Sequence, residues 1–322
     1  MLNQSTAVDR QSSKGRATHK KQRDLNQMSP LWNTLSHLIA GGFALICVFP
    51  FLFVLIISFT DEMSLAENGY RLIPNKWSYS AYEFIFKSGD QLLRSYAVTI
   101  FVTVVGTLIS LAIIAFYAYA ISRPTFRYRG FFSFIAFFTM LFNGGLVPTY
   151  IVTTQVLHLK DSIWALILPM CVNAFYILVL RTFFQTMIPD GIIESGKIDG
   201  AGEFRVFFSI VLPISLPGIA TVGLFCTLAY WNDWFNALLY IDGNPNIVPL
   251  QAMLMRIENN LKFITSNSAL ANSGQSLELL RSLPQETSRM AMVVLATGPI
   301  VLAYPFFQRY FVQGLTIGAV KE

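Results

Sequence analysis

The most informative stretch of this sequence reads Glu194-Ser195-Gly196-Lys197-Ile198-Asp199-Gly200-Ala201 and runs on to Ile210-Val211-Leu212-Pro213. It is a polar segment between two apolar runs, with the spacing E-x5-G-x9-I-x-L-P. Pro189 stands where the first turn of a helix tolerates proline, and Gly200 permits a positive φ or a close backbone approach. The segment predicts two short helices joined at Asp199-Gly200, which expose one rigid knob.

The composition on either side of this segment is that of a membrane protein. Of the 322 residues, 54% are hydrophobic and only 13% are charged, whereas soluble domains carry about 25% charged residues. The mean hydropathy is +0.52. The three cysteines, Cys47, Cys171 and Cys226, lie in apolar runs without a CxxC or histidine partner. We therefore expect small core residues there and no metal or redox site.

Six apolar runs have the length that a hydrocarbon core requires, which is about 20 residues. The first begins too late and is too long for a cleaved signal peptide, so we interpret it as an anchor helix. The runs cover residues 34–59, 94–121, 131–152, 162–183, 210–236 and 288–311.

The distribution of Lys and Arg predicts the orientation of these spans. Basic residues dominate the N-terminal tail and the 122–130 loop, whereas the 60–92 segment is balanced by acidic residues and the 153–161 loop has only Lys160. This bias places both termini and the Glu194 loop in the cytoplasm. The basic tail is best explained as a topology determinant, because no aromatic or motif context suggests nucleic-acid binding.

The polar segment resembles a family motif in detail. It matches the pattern E-A-A-x-x-D-G-A-x5-F-x-x-I-x-L-P of carbohydrate importer permeases, with Ser195 and Gly196 in place of the two alanines. We expect Gly196 to loosen its turn by about 1 kcal/mol relative to alanine. Trp231-Asn232 and the C-terminal residues 307–321 also look like this group. Over residues 30–322, the chain resembles the second permease of the maltose-type ABC importers, especially the branch for complex oligosaccharides and polysaccharides.

The resemblance implies an all-α integral membrane fold with six transmembrane helices and a cytoplasmic coupling-helix loop, that of a type I ABC importer permease. A basic cytoplasmic tail (1–30) would precede a permease domain (31–314) that contains the coupling loop (186–212), and a cytoplasmic tail (315–322) would follow. Glu194 and Asp199 would fix the fold of the loop and its docking on an ATPase. The coupling residues implied are Glu194, Ser195, Gly196, Asp199, Gly200, Ala201, Phe204 and Arg205.

The chain has no site of its own for ATP hydrolysis. A phosphate-cradling G-x4-G-K-[ST] loop is missing from the sequence, and the three histidines are scattered. We expect a non-catalytic subunit of a bacterial plasma or inner membrane that binds no cofactor directly, with ATP and magnesium held by a partner. The resemblance implies four kinds of partner: a homologous permease, a dimer of ABC ATPase subunits, an extracytoplasmic sugar-binding protein and membrane lipid.

Polar and aromatic residues at membrane depth are candidates for the substrate path. Asn143, followed by Gly144-Gly145 and Pro148, predicts a broken helix with backbone groups open to a cavity. Two other interpretations stay open: amides that bond neighbouring helices and aromatic residues of the interfacial belt. The predicted path residues are Asn143, Asn173, Tyr150, Trp231 and Asn232.

Three further inferences concern mechanism and the outer face. Asp, Glu, Lys and His are missing from the centres of the spans, which argues against a secondary transporter and for a neutral or polar path in this subunit. The 3–4 spacing of Leu250, Leu254, Ile257, Leu261 and Ile264 predicts an amphipathic helix, either for docking of the external protein or for packing on the bundle. The alternatives for function are an importer of a non-sugar solute and a membrane scaffold.

Overall fold

The computed structural model describes residues 30–87, 89–266 and 284–319, which form helices and connecting loops with one isolated bridge between Thr60 and Trp77. The basic tail lies outside the described residues, as do the last three positions. The long helices are α1 (Pro30–Ser58), α4 (Gly89–Ser122), α5 (Arg129–Leu141), α8 (Ala174–Met187), α12 (Leu216–Trp231), α14 (Leu250–Ser266) and α15 (Gln285–Ala319). The short ones are α2 (Glu62–Asn68), α3 (Ser80–Phe86), α6 (Leu146–Ile151), α7 (Trp164–Ile167), α9 (Asp190–Ile198), α10 (Glu203–Val206), α11 (Leu212–Ile214) and α13 (Phe235–Tyr240).

The chain divides into two compact units at Leu52 and Phe53. The described part of the first unit is the apolar N-terminal portion of α1, whose large side chains are exposed. The second unit contains the remaining helices and the connector between α8 and α12.

Within the described ranges, three helices are long and apolar enough to cross a membrane unbroken, at Leu31–Ser58, Gly89–Ser122 and Gln285–Pro305. Three further candidates are helix pairs that bend by 112° after Leu141, by 52° after Met170 and by 82° at Ser215. The described residues therefore contain three to six candidate spans by length and composition, and the exact count of six stays a prediction. Each of the six apolar runs nevertheless consists mainly of helix, and three of them are interrupted by a bend.

The first of these bends was predicted by the sequence and is observed. Helix α5 ends at Leu141, Phe142 is extended, and Gly145 has a φ of +87°. A φ of this sign favours glycine because other residues meet a Cβ clash there. The predicted interruption after Asn143 is confirmed.

The fifth predicted span, residues 210–236, needs correction because it is not one straight helix. Residues 207–211 form a π-helical turn, and the chain then turns by 82° at Ser215, which lies between Pro213 and Pro217. Proline lacks the N–H that a continuous helix needs. As a result, the stretch from α10 to α11 runs almost perpendicular to α12 instead of extending it.

Two buried clusters hold the second unit together, and α4 passes through both. One cluster lies around the Gly89 end of α4 and includes Leu92, Trp231 and Tyr240, and the other lies around the Ser122 end and includes Leu180, Phe184 and Phe207. Helix α14 buries Leu250, Leu254 and Leu261 on one face, so the predicted amphipathic helix is confirmed and packs on the bundle. Cys171 and Cys226 are buried, as expected of core residues, but Cys47 is exposed.

Candidate coupling surface

The connector between α8 and α12 contains the predicted pair of short helices, α9 and α10, joined by a tight turn. Gly200 has a φ of +82°. The N–H of Ala201 donates to Gly196 O, and that of Gly200 donates to Lys197 O, each at 3.0 Å. This 6→1 and 5→2 pair is a Schellman motif, in which glycine takes the left-handed position after the helix. The predicted turn at Asp199-Gly200 is confirmed.

The turn presents apolar side chains to the outside of this chain. Ile198 is 86% exposed and Phe204 is 75% exposed. Phe204 was predicted here, whereas Ile198 was not, because nothing in its spacing separates it from the buried Ile193. Two large apolar side chains on an exposed turn are typical of a surface that another protein covers.

The acidic residues of the motif surround this apolar pair. Glu194 and Asp199 are exposed, and the part of the chain that the structure describes gives neither carboxylate a hydrogen-bond or ion-pair partner. The expectation that these two residues fix the fold of the loop is therefore not met. The predicted Ser195 and Arg205 are also exposed, and the Ser195 hydroxyl donates to Ile192 O.

Gly196 brings α9 against the π-helical turn. A Cβ built on Gly196 would lie 2.8 Å from Ile210 Cδ1, which is closer than ordinary van der Waals contact. The glycine that replaces alanine in the motif therefore allows a close approach, in addition to the propensity cost expected from the sequence. Ala201 is half-buried and packs against the buried cluster at the Ser122 end of α4.

An ion pair and a hydrogen bond tie the end of this loop to α4. Lys197 Nζ lies 2.5 Å from Glu203 Oε1, and the Tyr119 hydroxyl donates to Glu203 Oε2 at 3.0 Å. The hydrogen bond from Lys197, and then that from Tyr119, hold the pKa of the Glu203 carboxyl below its usual value. Glu203 therefore stays ionised at neutral pH and keeps both partners.

Arg123, directly after α4, ties the start of the loop to the same helix. Its side chain is buried. The guanidinium donates to Phe184 O at 3.1 Å, to Asp190 Oδ1 at 3.4 Å and to Ser122 Oγ at 2.9 Å. A buried guanidinium needs such partners, because an unpaired buried charge is costly. The sequence assigned Arg123 to membrane orientation only, since its neighbours in space come from α8 and α9.

Aromatic rings complete the contact between the loop and α4. Phe207, one of the residues that matched the motif, lies 4.9 Å from Phe116 and 5.2 Å from Tyr119 between ring centroids. These are the distances at which aromatic pairs contribute beyond area burial. Polar and aromatic contacts thus attach the loop to the last turns of α4.

The predicted path residues do not form one cluster of side-chain contacts. Asn143 and Asn173 are exposed, and their side-chain oxygens accept backbone N–H groups from Gly145 and Phe175. Tyr150 stacks on Tyr240, with centroids 6.0 Å apart.

The remaining two differ from each other. Trp231 is buried and its indole N–H donates to Ala296 O. This burial argues against contact with a substrate in this conformation. Asn232 is exposed and its amide donates to Leu228 O.

A charged residue well inside a predicted span, Arg181, was missed. Arg181 lies in α8, six residues before its end at Met187 and thus about 9 Å along the axis. Its Nε is buried and makes no hydrogen bond within the described residues. The sequence signal was available, because Arg181 falls within the run 162–183, but only Asp, Glu, Lys and His were considered there.

Comparison with known proteins agrees with the resemblance seen in the sequence. Residues 114–317 match the family described as "Binding-protein-dependent transport system inner membrane component". The chain is 41% identical to the polygalacturonan/rhamnogalacturonan transport system permease protein YtcP of Bacillus subtilis, over 87% of this chain and 94% of that protein. It is 40% identical to Protein LplC of the same organism, over 88% of this chain and 92% of that one.

A solved structure gives the same result for the fold. A chain of a bacterial ABC transporter involved in the import of the acidic polysaccharide alginate superimposes with a TM-score of 0.70 and 29% identity, covering 88% of this chain and 99% of that chain. The family match includes the connector with its Schellman turn and both of its attachments to α4. This protein belongs to the inner-membrane components of binding-protein-dependent transport systems.

Proposed function

We propose that this protein is the permease subunit of an ATP-driven importer for oligosaccharides released from acidic polysaccharides. The α9–α10 turn would seat in a cleft of an ABC ATPase, and closure of two ATPase subunits would drive alternating access in a pair of permeases. This chain would supply one half of the membrane path, with both termini in the cytoplasm. ATP and magnesium would be bound by the ATPase.

The observation that carries this proposal is the build of the turn. It is closed by backbone hydrogen bonds and tied to α4 at both ends, and it presents two exposed apolar side chains and two carboxylates that have no partner among the described residues. This surface is held in place by contacts within its own chain, and its carboxylates and apolar side chains remain exposed for a partner. Such a surface is suited to receive force from that partner. Its exposed apolar core with a polar rim also has the composition of a protein interface.

The remaining partners follow from the family. A second, homologous permease would complete the path, and an extracytoplasmic binding protein would deliver the substrate. Helix α14 and the segment around α2 are our candidates for its docking surface. The exposed Trp77 and Tyr79 support this assignment, because aromatic residues are enriched in protein interfaces.

The charge of the substrate is suggested by two relatives and by Arg181. YtcP is named for polygalacturonan and rhamnogalacturonan, and the solved transporter imports alginate. Arg181 gives this chain a cation within a candidate span, and α4, α5, α8 and α12 carry no Glu and no Asp apart from Asp90 at the start of α4. Such a cation is costly and marks a functional site by default. We assign it to a uronate carboxylate, which guanidinium groups bind well. Exposed Asn143, Asn173 and Asn232 would offer amides to sugar hydroxyls.

A matched pair of glycine substitutions tests the coupling turn. Gly200→Ala places a Cβ at a φ of +82°, which costs about 1–2 kcal/mol and shifts the turn. Gly202→Ala adds the same methyl at a φ of −70° with no atom within 4 Å. We expect Gly200→Ala to lower both the ATPase co-purified with the permease and ATP-dependent uptake about 5- to 30-fold, and Gly202→Ala to change neither.

The outcomes separate clearly when both variants insert in the membrane at equal levels. Wild-type capture of an ATPase together with its loss in Gly200→Ala supports the proposal. Normal uptake by Gly200→Ala, or ATP hydrolysis by the purified permease alone, would contradict it.

A further inference from the structure

Helix α4 is a single unbroken helix that leads from the coupling turn through the second unit. It has 34 residues without proline and is therefore about 50 Å long. The chain enters the connector from α8, whose candidate span bends by 52°, and leaves it toward α12 through the 82° bend at Ser215. Bent elements absorb an axial displacement, whereas a continuous helix carries it.

Two side chains at the Ser122 end of α4 make its polar connection to the coupling turn. Tyr119 holds Glu203 at the start of α10, and Arg123 holds Asp190 at the start of α9. Arg123 also binds the Phe184 carbonyl near the end of α8. A movement of the turn therefore reaches α4 without passing through a flexible loop.

The opposite end of α4 is hydrogen-bonded to the segment 245–250. Gln91 Nε2 donates to Pro245 O at 2.7 Å, and Arg94 Nη1 donates to Asn246 Oδ1 at 2.6 Å. Thr99 Oγ1 accepts the N–H of Leu250 at 2.8 Å. These contacts fix the segment 245–250, which leads into α14.

The middle of α4 is locked against α12. The Tyr230 ring packs on Gly106, and its hydroxyl bonds with Ser110 Oγ at 3.1 Å and donates to Ile167 O at 2.9 Å. Sliding of α4 relative to α12 would break this contact. The two helices therefore move together, and a shift at one end of α4 appears at the other.

We propose that α4 is the lever that couples the α9–α10 turn to the outer segment 245–250. Tyr119 and Arg123 are its positioning residues at one end, and Gln91 and Arg94 are those at the other. This inference rests on the proposed function. It predicts that an external protein seated at segment 245–250 changes the rate of ATP hydrolysis through contacts about 38 Å away, the axial separation of Arg94 and Tyr119.

The test uses the complete transporter in lipid nanodiscs. ATP hydrolysis is measured with and without a saturating amount of the cognate external binding protein loaded with oligogalacturonate. Complexes with equal ATPase content are compared, so that loss of assembly does not enter the ratio of stimulated to basal rate. Tyr119→Phe keeps the aromatic packing and removes the bond to Glu203. Tyr117→Phe, its control on the same helix, removes a hydroxyl bond to Phe132 O.

At the outer end, Arg94→Met and Asn246→Leu each remove the same contact, and Asn246→Asp keeps an acceptor for Arg94. We expect Tyr119→Phe, Arg94→Met and Asn246→Leu each to lower the ratio of stimulated to basal rate at least threefold. Tyr117→Phe and Asn246→Asp keep the wild-type ratio.

A double variant distinguishes a lever from two separate local effects. If one displacement passes along α4, Tyr119→Phe/Arg94→Met has a ratio no lower than that of the weaker single variant. Independent sites would instead multiply their losses, and that result overturns the inference. Unchanged ratios in both single variants overturn it as well. A wild-type complex that captures no ATPase, or is not stimulated at all, refutes the proposed function instead.

Discussion

At the scale of single residues, the close contact between α4 and α12 depends on one glycine. A Cβ on Gly106 would lie 2.7–2.9 Å from three atoms of the Tyr230 ring. The ring cannot retreat, because it is buried and its hydroxyl is bonded to Ser110 and Ile167. We expect Gly106→Ala to destabilise the protein by about 1–3 kcal/mol through overpacking, seen as a lower Tm of the detergent-purified permease.

Gly130→Ala in α5 is the matched control for that substitution. Its Cβ would meet no atom within 4 Å, and alanine is the better helix former by about 1 kcal/mol. The expected Tm is therefore equal to or slightly above that of wild type. An equal Tm for Gly106→Ala and Gly130→Ala would refute the steric role of Gly106.

The sequence predicts glycines that allow a turn of their own backbone more reliably than glycines that make room for a neighbouring side chain. Gly200 and the Gly144-Gly145 pair were predicted because turn chemistry is local. Gly106 and Gly196 were not assigned contacts, since Tyr230 and Ile210 reach them only after the helices have packed. The same reason hid Arg123, which has a carbonyl of α8 as a partner.

At the scale of elements, the start of α15 is capped by a side chain from far away in the sequence. Glu62 in α2 accepts the N–H groups of Glu286 and Thr287 at 2.9 and 3.0 Å and the Thr287 hydroxyl at 2.6 Å. A carboxylate at a helix N-terminus satisfies its free donors and complements its dipole. We expect Glu62→Ala to cost about 1–2 kcal/mol.

Amide hydrogen exchange measures this loss directly. Exchange at residues 286–288 should become about 5- to 30-fold faster in Glu62→Ala, as the lost stability predicts. Glu67→Ala is the control on the same short helix. The Glu67 carboxylate makes no hydrogen bond or ion pair among the described residues. Equal exchange in the two variants would show that Glu62 is not the cap.

The sequence predicts most of the helices, but it predicts only some of the bends between them. Apolar runs of about 20 residues mark candidate spans because the membrane core has a fixed thickness. The break after Leu141 was predicted from Asn143 and two glycines, whereas the 82° turn at Ser215 was not. Pro213 and Pro217 are equally compatible with the first turn of a straight helix, so packing of the connector against α4 decides the outcome.

At the scale of the whole molecule, the sequence predicts the proposed coupling turn more readily than it predicts the substrate path. The coupling turn is one continuous segment, so its motif survives in the order of the residues. The proposed substrate path would be assembled from several helices and from a second permease, so its residues are scattered among others of the same type. Asn143 and Tyr150 were predicted as candidates among other residues of their type, whereas Arg181 was recognised only from its buried Nε, which makes no hydrogen bond within the described residues.

The cargo assignment leads to a test on Arg181. Arg181→Met removes the charge and keeps a flexible apolar stem, whereas Arg181→Lys keeps the charge. A hydrogen bond to a charged group contributes about 1.5–3 kcal/mol, so we expect Arg181→Met to lower the uptake of oligogalacturonate at least tenfold and Arg181→Lys to retain most of it.

Arg127→Met, which removes an exposed arginine from the α4–α5 loop, should leave uptake unchanged. The fully methyl-esterified oligomer, which has no charge, should be imported equally by wild type and Arg181→Met. If both variants import the acid form at the wild-type rate, Arg181 serves the membrane interface or a partner subunit and the substrate's charge is recognised elsewhere.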